Sequence, residues 1–281
     1  MTGRVLPFIG SADKWVSGIK TTAATCELAP NPSPWTLDGT NTWVLQAPGA
    51  TAAIIVDPGP SDEGHLAAVI AQVADREARI TSILLTHGHI DHSEGARRLG
   101  ELTGAPVRAV DPMHRYGTEG LATDDVVAAG DLVVRVVATP GHSSDSVCFL
   151  LPDEGSLLTG DTVLGRGTTV VAWPDGRLSE YLVSLARLRD LTEREGIKAI
   201  LPGHGPLLEA PGGILTAYLD HRIARLDDIR DAVTAGAGST ADVVAVVYAN
   251  TPRDLWPAAE LSVRAQLQYL RDAGEISIEI D

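Results

Sequence analysis

Short runs of apolar residues, many of them β-branched, recur along the first two thirds of the chain, with turn-forming residues at their ends. Runs of this kind are typical of buried β-strands. They predict eight strands, over residues 42–46, 52–57, 82–86, 107–109, 133–138, 147–151, 156–159 and 198–201. Amphipathic segments separate several of these runs, so the pattern indicates a mixed α/β fold.

Two of the amphipathic segments have apolar residues on one helical face. In residues 63–77 this face consists of Leu66, Val69, Ile70 and Val73, and in residues 179–195 of Leu182, Leu185, Leu188 and Leu191. A single apolar stripe predicts a helix that packs against another layer of the fold. We therefore expect both helices to cover sheet faces.

The pattern changes after Pro206. Residues 213–234, 240–249 and 257–273 have helical periodicity, and a short alternating segment, 276–280, predicts a final, wing-like strand. We expect an α/β domain over residues 1–208 and a small helical, winged-helix-like domain over residues 209–281. Its apolar residues would cap a site in the first domain or form a homodimer face; the candidates are Trp256, Leu261, Leu267 and Leu270.

Composition narrows the range of functions. The chain has 281 residues, of which 44% are hydrophobic and 21% charged, so it can bury a core without disulfides. Its 37 acidic and 22 basic residues give a formal net charge of −15 and a pI near 4.8. This sign is opposite to that expected of a protein that holds nucleic acid by neutralising phosphates.

Cysteine usage and hydropathy bear on location. Cys26 and Cys148 show neither metal-site nor disulfide-framework spacing, which is typical of a reducing compartment. The apolar run over residues 5–9 is short and contains Pro7, unlike a signal-peptide core, and no stretch approaches 18 apolar residues. The sequence therefore predicts a cytoplasmic protein with no membrane partner.

The densest group of metal-capable side chains lies in residues 86–93, which read Thr-His-Gly-His-Ile-Asp-His-Ser. It directly follows the apolar run 83–85, so a buried strand delivers three imidazoles and one carboxylate to a turn at its carboxyl end. The candidate metal ligands in this turn are His87, His89, Asp91 and His92.

Three later residues, His142, Asp161 and His204, have the same setting: each lies in a glycine-containing turn just after an apolar run. Glycine beside each of them lets the backbone approach the site closely. Five histidines and two aspartates suffice for two metal ions that share a bridging ligand. A nitrogen-rich set without thiolates suits Zn²⁺ best, with manganese and iron as open alternatives. Two zinc ions suit a hydrolase that holds a nucleophilic hydroxide between them.

With these motifs the chain resembles the metallo-β-lactamase superfamily, whose fold is a four-layer αββα sandwich. The resemblance implies a first zinc ion on His87, His89 and His142. It implies a second zinc ion on Asp91, His92 and His204. Asp161 would bridge the two ions. Classical lactamases have a Cys near the position of Asp161, so antibiotic hydrolysis is not the expected activity.

Further segments resemble the β-lactamase-like protein 2 group more specifically: residues 40–42, 160–170, 202–206, 218–222 and 250–252. The best-known member of that group is a single-strand-specific endoribonuclease with a winged-helix-like C-terminal region. Relatives of the same architecture include thioesterases that release polyketides from carrier proteins. The resemblance therefore implies hydrolysis of an ester-type bond, in single-stranded RNA or in a small or carrier-bound acyl substrate. The complete ligand set argues against a third possibility, a metal-dependent regulatory or binding module.

Other residues are candidates for roles around the ligands. Asp91 would pass a proton to the leaving group, and Asp161 would be catalytic as the bridging ligand. Asn41, Thr168 and Thr169 would face the substrate, although Asn in turns and β-branched Thr are also common in purely structural positions.

The C-terminal region lacks the charge that RNA binding requires. Residues 209–281 contain twelve acidic and six basic residues, a net charge of −6. Arg222, Arg225 and Arg230 form a local basic stripe along a predicted helix. Aspartates beside them, at positions 227, 228 and 231, predict helix ion pairs rather than a track for phosphates. Charge therefore favours the acyl substrate, whereas the group resemblance favours RNA.

Overall fold

Two β-sheets lie face to face between layers of helices in the structure, a computed structural model that describes residues 14–117, 119–278 and 280. The first sheet contains, in spatial order, β1 (Ala24–Leu28), β2 (Asn41–Leu45), β3 (Ala52–Val56), β4 (Arg79–Leu84) and β5 (Val107–Arg108). Strands β1, β2 and β3 are antiparallel to one another, whereas β3, β4 and β5 are parallel.

The second sheet contains β6 (Val126–Ala129), β7 (Leu132–Ala138), β8 (Val147–Leu151), β9 (Ser156–Gly160), β10 (Ala199–Pro202) and β11 (Leu208–Glu209), paired in chain order. Only β9 and β10 are parallel among these pairs of described strands. The connection between them is a long crossover that contains a helix, as parallel pairing requires.

Helices cover the outer faces of both sheets. On the first sheet they are α1 (Glu63–Ala74) and α2 (Ile90–Thr103), and on the second α3 (Leu178–Arg194) and α4 (Pro211–Thr234). Two further helices, α5 (Thr240–Val247) and α6 (Trp256–Asp272), pack against α4. Among the described residues, no helix is long and apolar enough to span a membrane.

Alternation along the strands produces these layers. In β3, Ile54 and Val56 point into the core between the sheets, while Ala53 and Ile55 point to α1 and α2. Successive strand residues face opposite sides, so strands with both faces buried are apolar throughout. Each fully buried aliphatic side chain of this kind contributes about 1.5–3 kcal/mol of transfer free energy. The αββα sandwich with a C-terminal helical region is therefore confirmed.

All eight predicted strands are present, with ends within three residues of the prediction. The sequence pattern missed the strands β1, β6 and β11, which are short or partly exposed. It also missed the helix α2, which begins inside the histidine motif. The division at residue 208 stays a prediction.

Two predictions for the C-terminal region are wrong. The final strand is absent from the described residues 276–278 and 280, although Ile276, Ile278 and Ile280 do pack against the core as the alternation required. Leu267 and Leu270 are fully buried inside the helical region, so they are core residues and cannot form a dimer face.

Gly141, which precedes His142, lies directly against the backbone of Tyr181 in the first turn of α3. Its φ of +135° is disfavoured for residues with a side chain, and a Cβ would collide with the Tyr181 backbone. We expect Gly141→Ala to lower the free energy of unfolding by about 3 kcal/mol or more, since it combines overpacking with backbone strain. Chemical denaturation measures this.

Gly213→Ala is the matched control for that substitution. Gly213 lies in α4 with open space around its Cα, so alanine there should be neutral or slightly stabilising. Equal effects of the two substitutions would contradict the packing argument.

Candidate metal centre

The seven candidate ligands meet at one edge of the sandwich, where strands of both sheets end. The loop after β4 carries His87 and His89, and the first turn of α2 carries Asp91 and His92. The loops after β7, β9 and β10 carry the other three residues, which are His142, Asp161 and His204. The predicted turn at residues 87–92 is thus a strand end that runs straight into a helix.

His87, His89 and His142 form the first group. His89 Nδ1 lies 3.0 Å from His87 Nε2 and 3.0 Å from His142 Nε2. The three nitrogens lie within 4.8 Å of one another, close enough to be ligands of one metal ion.

Asp91, His92 and His204 form the second group. The Nε2 atoms of His92 and His204 are 3.2 Å apart, and Asp91 Oδ2 lies 3.2 Å from His204 Nε2. These three residues also offer one ligand atom each to a common centre.

Asp161 lies between the two groups. Its Oδ1 is 3.4 Å from Nε2 of both His92 and His204, and its Oδ2 is 3.8 Å from His142 Nε2. Oδ1 is buried and makes no hydrogen bond with the described residues. The carboxylate therefore has one oxygen toward each group, as a bridging ligand requires.

Backbone carbonyls outside the cluster determine which nitrogen carries a proton in two of the imidazoles, those of His142 and His204. Nδ1 of His142 lies 2.8 Å from the Val170 carbonyl, and Nδ1 of His204 lies 3.2 Å from the Gly39 carbonyl. A carbonyl only accepts hydrogen bonds, so both Nδ1 atoms are donors, and the Nε2 atoms that face the cluster are the ones left to bind a metal ion.

Asp57, which directly follows β3, orients two further imidazoles, those of His92 and His87. The sequence pattern did not single it out. Its Oδ2 lies 2.9 Å from His92 Nδ1 and accepts a 2.6 Å hydrogen bond from Thr86 Oγ1, while its Oδ1 accepts from Thr86 N at 2.8 Å. Thr86 Oγ1 in turn accepts from His87 Nδ1 at 3.0 Å. One buried carboxylate therefore orients two ligands.

The pKa values show which charges the cluster favours. Burial lowers the pKa of His142 to about 4, and burial with neighbouring imidazoles holds the pKa of His87 well below its ordinary value. Burial also acts to lower the pKa of His204, but Asp161 and Asp91 raise it to about 9. Burial would raise the pKa of Asp161, but His204 and His92 hold it well below its ordinary range. Positive charge beside Asp161 is strongly favoured.

The donor set fits metal ions. The Nε2 atoms of His92 and His204 are 3.2 Å apart, and their lone pairs would repel unless a cation or a proton lies between them. The same holds for His89 Nδ1 and the two Nε2 atoms beside it, those of His87 and His142. Nitrogen and carboxylate donors without thiolates are those of zinc hydrolase sites.

The three residues expected to face the substrate differ in position. Asn41 is fully buried, and its side-chain amide donates to the carbonyls of Pro202 and Gly205 on either side of His204. Thr169 is also buried, and its hydroxyl donates to the Asp161 carbonyl. Both side chains hold ligand loops, and their contact with a substrate stays a prediction. Thr168 is half-buried, and its role stays a prediction.

Comparisons with known sequences agree with this geometry. The family model of the metallo-beta-lactamase superfamily matches residues 35–204, and that of the beta-lactamase associated winged helix domain matches residues 239–279. A beta-lactamase-like protein 2 homolog of Drosophila melanogaster is 34% identical over 266 residues, covering 88% of this chain and 87% of the relative. An atrochrysone carboxyl ACP thioesterase of Aspergillus fumigatus is 32% identical over 244 residues, covering 81% of this chain and 74% of the relative.

Solved structures share the fold. A beta-lactamase domain protein from Burkholderia ambifaria superposes with a TM-score of 0.78 at 24% identity, covering 95% of this chain and 92% of that chain. A metallo-beta-lactamase family protein from Thermus thermophilus superposes with a TM-score of 0.75 at 22% identity, covering 91% of this chain and 95% of that chain. The chain is therefore a hydrolase of the metallo-beta-lactamase superfamily, and it carries the winged helix domain associated with that superfamily.

Proposed function

We propose that the cluster holds two zinc ions and that the chain hydrolyses an ester-type bond in an acyl substrate. The observation that carries the metal assignment is a set of three-residue groups: two separate groups, and a third, His87, His92 and Asp161, that links them. When bound, such ions polarise the bond to be cleaved and activate water as a nucleophile.

The chain's own residues have separate tasks in this proposal. Asp161 fixes the spacing of the two groups, and Asp57 keeps the Nε2 lone pair of His92 directed into the site. Asp91 is the residue placed to carry a proton to the leaving group. It is partly exposed at the start of α2, and burial would raise its pKa, but His204 and His92 lower that pKa to about 2. Asp91 is therefore ionised near neutral pH, the form that binds a metal ion, and it would receive a proton only transiently, on its way to the leaving group.

Exposed apolar side chains near the cluster support an acyl substrate. Ile90, between two candidate ligands, is 70% exposed, and Met113 is 89% exposed on a short turn whose His114 contacts Gly88 of the motif. Trp35 is 52% exposed on the loop that leads to Gly39, the hydrogen-bond partner of His204. Each of these side chains can contact an apolar part of a substrate at the cluster. The net charge of −15 and the similarity to thioesterases also favour an acyl substrate over RNA.

Single-stranded RNA is the competing substrate, supported by similarity to the beta-lactamase-like protein 2 homologs and by the winged helix domain. The basic stripe in α4 does not provide an RNA track. Arg225 and Arg230 are paired with Asp228 and Asp227, as predicted, and Arg222 is buried, which the sequence pattern did not predict.

A parallel assay distinguishes the two substrates. One zinc-quantified preparation is tested on acyl-thioesters of increasing chain length and on a single-stranded RNA oligomer, with the Asp161→Ala protein as the contamination control. We expect thioester turnover that the substitution abolishes. RNA cleavage that the substitution abolishes, without thioester turnover, would overturn the acyl proposal and keep the metal chemistry.

Ile90→Ser tests the apolar mouth of the site. We expect KM for a long-chain acyl-thioester to rise about tenfold, since an aliphatic side chain contributes about 1.5–3 kcal/mol when buried by a ligand. KM for an acetyl thioester should change little. Val246→Ser, at a residue 60% exposed on α5, is the control and should leave both values unchanged. An equal rise for the two substrates would contradict this role.

A further inference from the structure

Helix α4 belongs to the C-terminal region, yet two of its buried side chains hold the loop that follows β9. The Tyr218 hydroxyl accepts a hydrogen bond from Leu164 N at 2.9 Å and lies 3.1 Å from the Gly167 carbonyl. One turn later, Arg222 Nη2 donates to the Thr169 carbonyl. The two side chains therefore hold one loop, residues 161–171, at three points along its length, residues 164, 167 and 169.

This loop supplies more than one component of the candidate metal centre. It begins with Asp161, whose carboxylate lies between the two ligand groups. Near its end, the Val170 carbonyl accepts the hydrogen bond from His142 Nδ1. Between them, the Thr169 hydroxyl donates to the Asp161 carbonyl and closes the loop on itself. Displacement of the loop would move Asp161 and release His142 together.

Arg222 is an unusual residue for a purely structural contact. It is 3% exposed, its Nε makes no hydrogen bond with the described residues, and none of their carboxylates lies within 4 Å. Its guanidinium lies 5.1 Å from the centre of the Tyr181 ring, and the Tyr181 hydroxyl donates to Thr162 of the same loop. Burying a cation without a carboxylate beside it costs desolvation free energy. An apolar side chain could fill the same volume without this desolvation cost.

We propose that Tyr218 and Arg222 are positioning residues for the metal centre: they hold the loop 161–171 so that Asp161 and the Val170 carbonyl stand in the geometry that metal binding requires. This proposal rests on the proposed metal function. It makes α4 a part of the hydrolytic site, although the sequence pattern assigned residues 209–281 to a separate domain.

The test measures zinc release from the full chain into a colorimetric chelator, together with thermal unfolding of the metal-free protein. Arg222→Met and Tyr218→Phe are each expected to release zinc about tenfold faster or more, because loss of the groups that orient ligands typically weakens metal binding 10–100-fold. Arg222→Lys should restore part of the retention, since its ammonium can still donate to the Thr169 carbonyl.

Arg225→Met is the matched control on the same helix. Arg225 lies 5.3 Å from the centre of the Tyr248 ring, much as Arg222 lies over Tyr181, but it donates to the Asp228 carboxylate and makes no described contact with the ligand loop. We expect it to alter thermal unfolding and to leave zinc release at the wild-type rate.

Zinc release from Arg222→Met and Tyr218→Phe at the rate of Arg225→Met would overturn the positioning role, whatever the loss of stability. Tyr218→Phe removes one oxygen and keeps the ring, so the test stands even if Arg222→Met does not fold. A wild-type chain that retains no zinc would instead overturn the proposed metal function, and the positioning role with it.

Discussion

Asp161→Ala is expected to reduce kcat/KM by about three orders of magnitude or more and to lower the number of zinc ions bound per chain. Its carboxylate is the group between the two ligand sets, so its removal takes a donor from both. Loss of metal-dependent stabilisation worth several kcal/mol corresponds to an effect of this size. Asp161→Asn should also be impaired, because the amide keeps the shape but not the charge.

The fold should survive this substitution. Asp161 lies in a loop beyond β9 and belongs to none of the apolar core clusters among the described residues. Circular dichroism and zinc content measured on the same sample separate metal loss from unfolding. Asp190→Ala, at an exposed surface residue paired with Arg189, is the control. An Asp161→Ala protein with full zinc content and wild-type turnover would refute the bridging assignment.

Asp57→Asn is expected to weaken zinc binding by about 100-fold, although Asp57 is not one of the candidate ligands. The carboxylate accepts hydrogen bonds from Thr86 Oγ1 and His92 Nδ1 on one oxygen and from Thr86 N on the other. Asparagine has only one oxygen, so in either orientation its NH₂ faces at least one of these donors. With the NH₂ at the Oδ2 position, His92 would carry its proton on Nε2, where the metal ion should bind. With the NH₂ at the Oδ1 position, it would face Thr86 N, and His92 would lose its charged partner.

The same substitution should lower the free energy of unfolding by roughly 1–3 kcal/mol for each buried donor left unpaired. Zinc titration of the metal-free protein and chemical denaturation measure the two effects. Asp62→Asn is the matched control, since Asp62 caps α1 by accepting a hydrogen bond from His65 N, and Asn caps helices equally well. Wild-type zinc affinity in Asp57→Asn would show that His92 does not depend on its carboxylate partner.

The sequence pattern singled out seven residues that the structure brings together, because each lies just after an apolar run, in a turn with glycine. Such runs are buried strands, and the sandwich brings their carboxyl ends to one edge. The seven residues His87, His89, Asp91, His92, His142, Asp161 and His204 therefore could be found without coordinates. Their assignment as zinc ligands stays a proposal.

The residues that orient these ligands could not be found in the same way. Asp57 ends a strand in a Val-Asp-Pro-Gly sequence that is typical of a turn, and nothing local shows that its carboxylate faces His92. Its one distinctive property, a φ of +50°, belongs to the folded backbone. Arg222 looked like part of an exposed basic stripe, because helical spacing alone does not tell which turn of α4 lies under the loop 161–171.

Anomalous diffraction from crystals of the zinc-loaded protein locates the metal ions directly. We expect two zinc peaks, one among His87, His89 and His142 and one among Asp91, His92 and His204. Asp161 should contact both ions. Peaks elsewhere, or a metal-free chain that hydrolyses its substrate at the full rate, would contradict the assignment of this cluster as the hydrolytic centre.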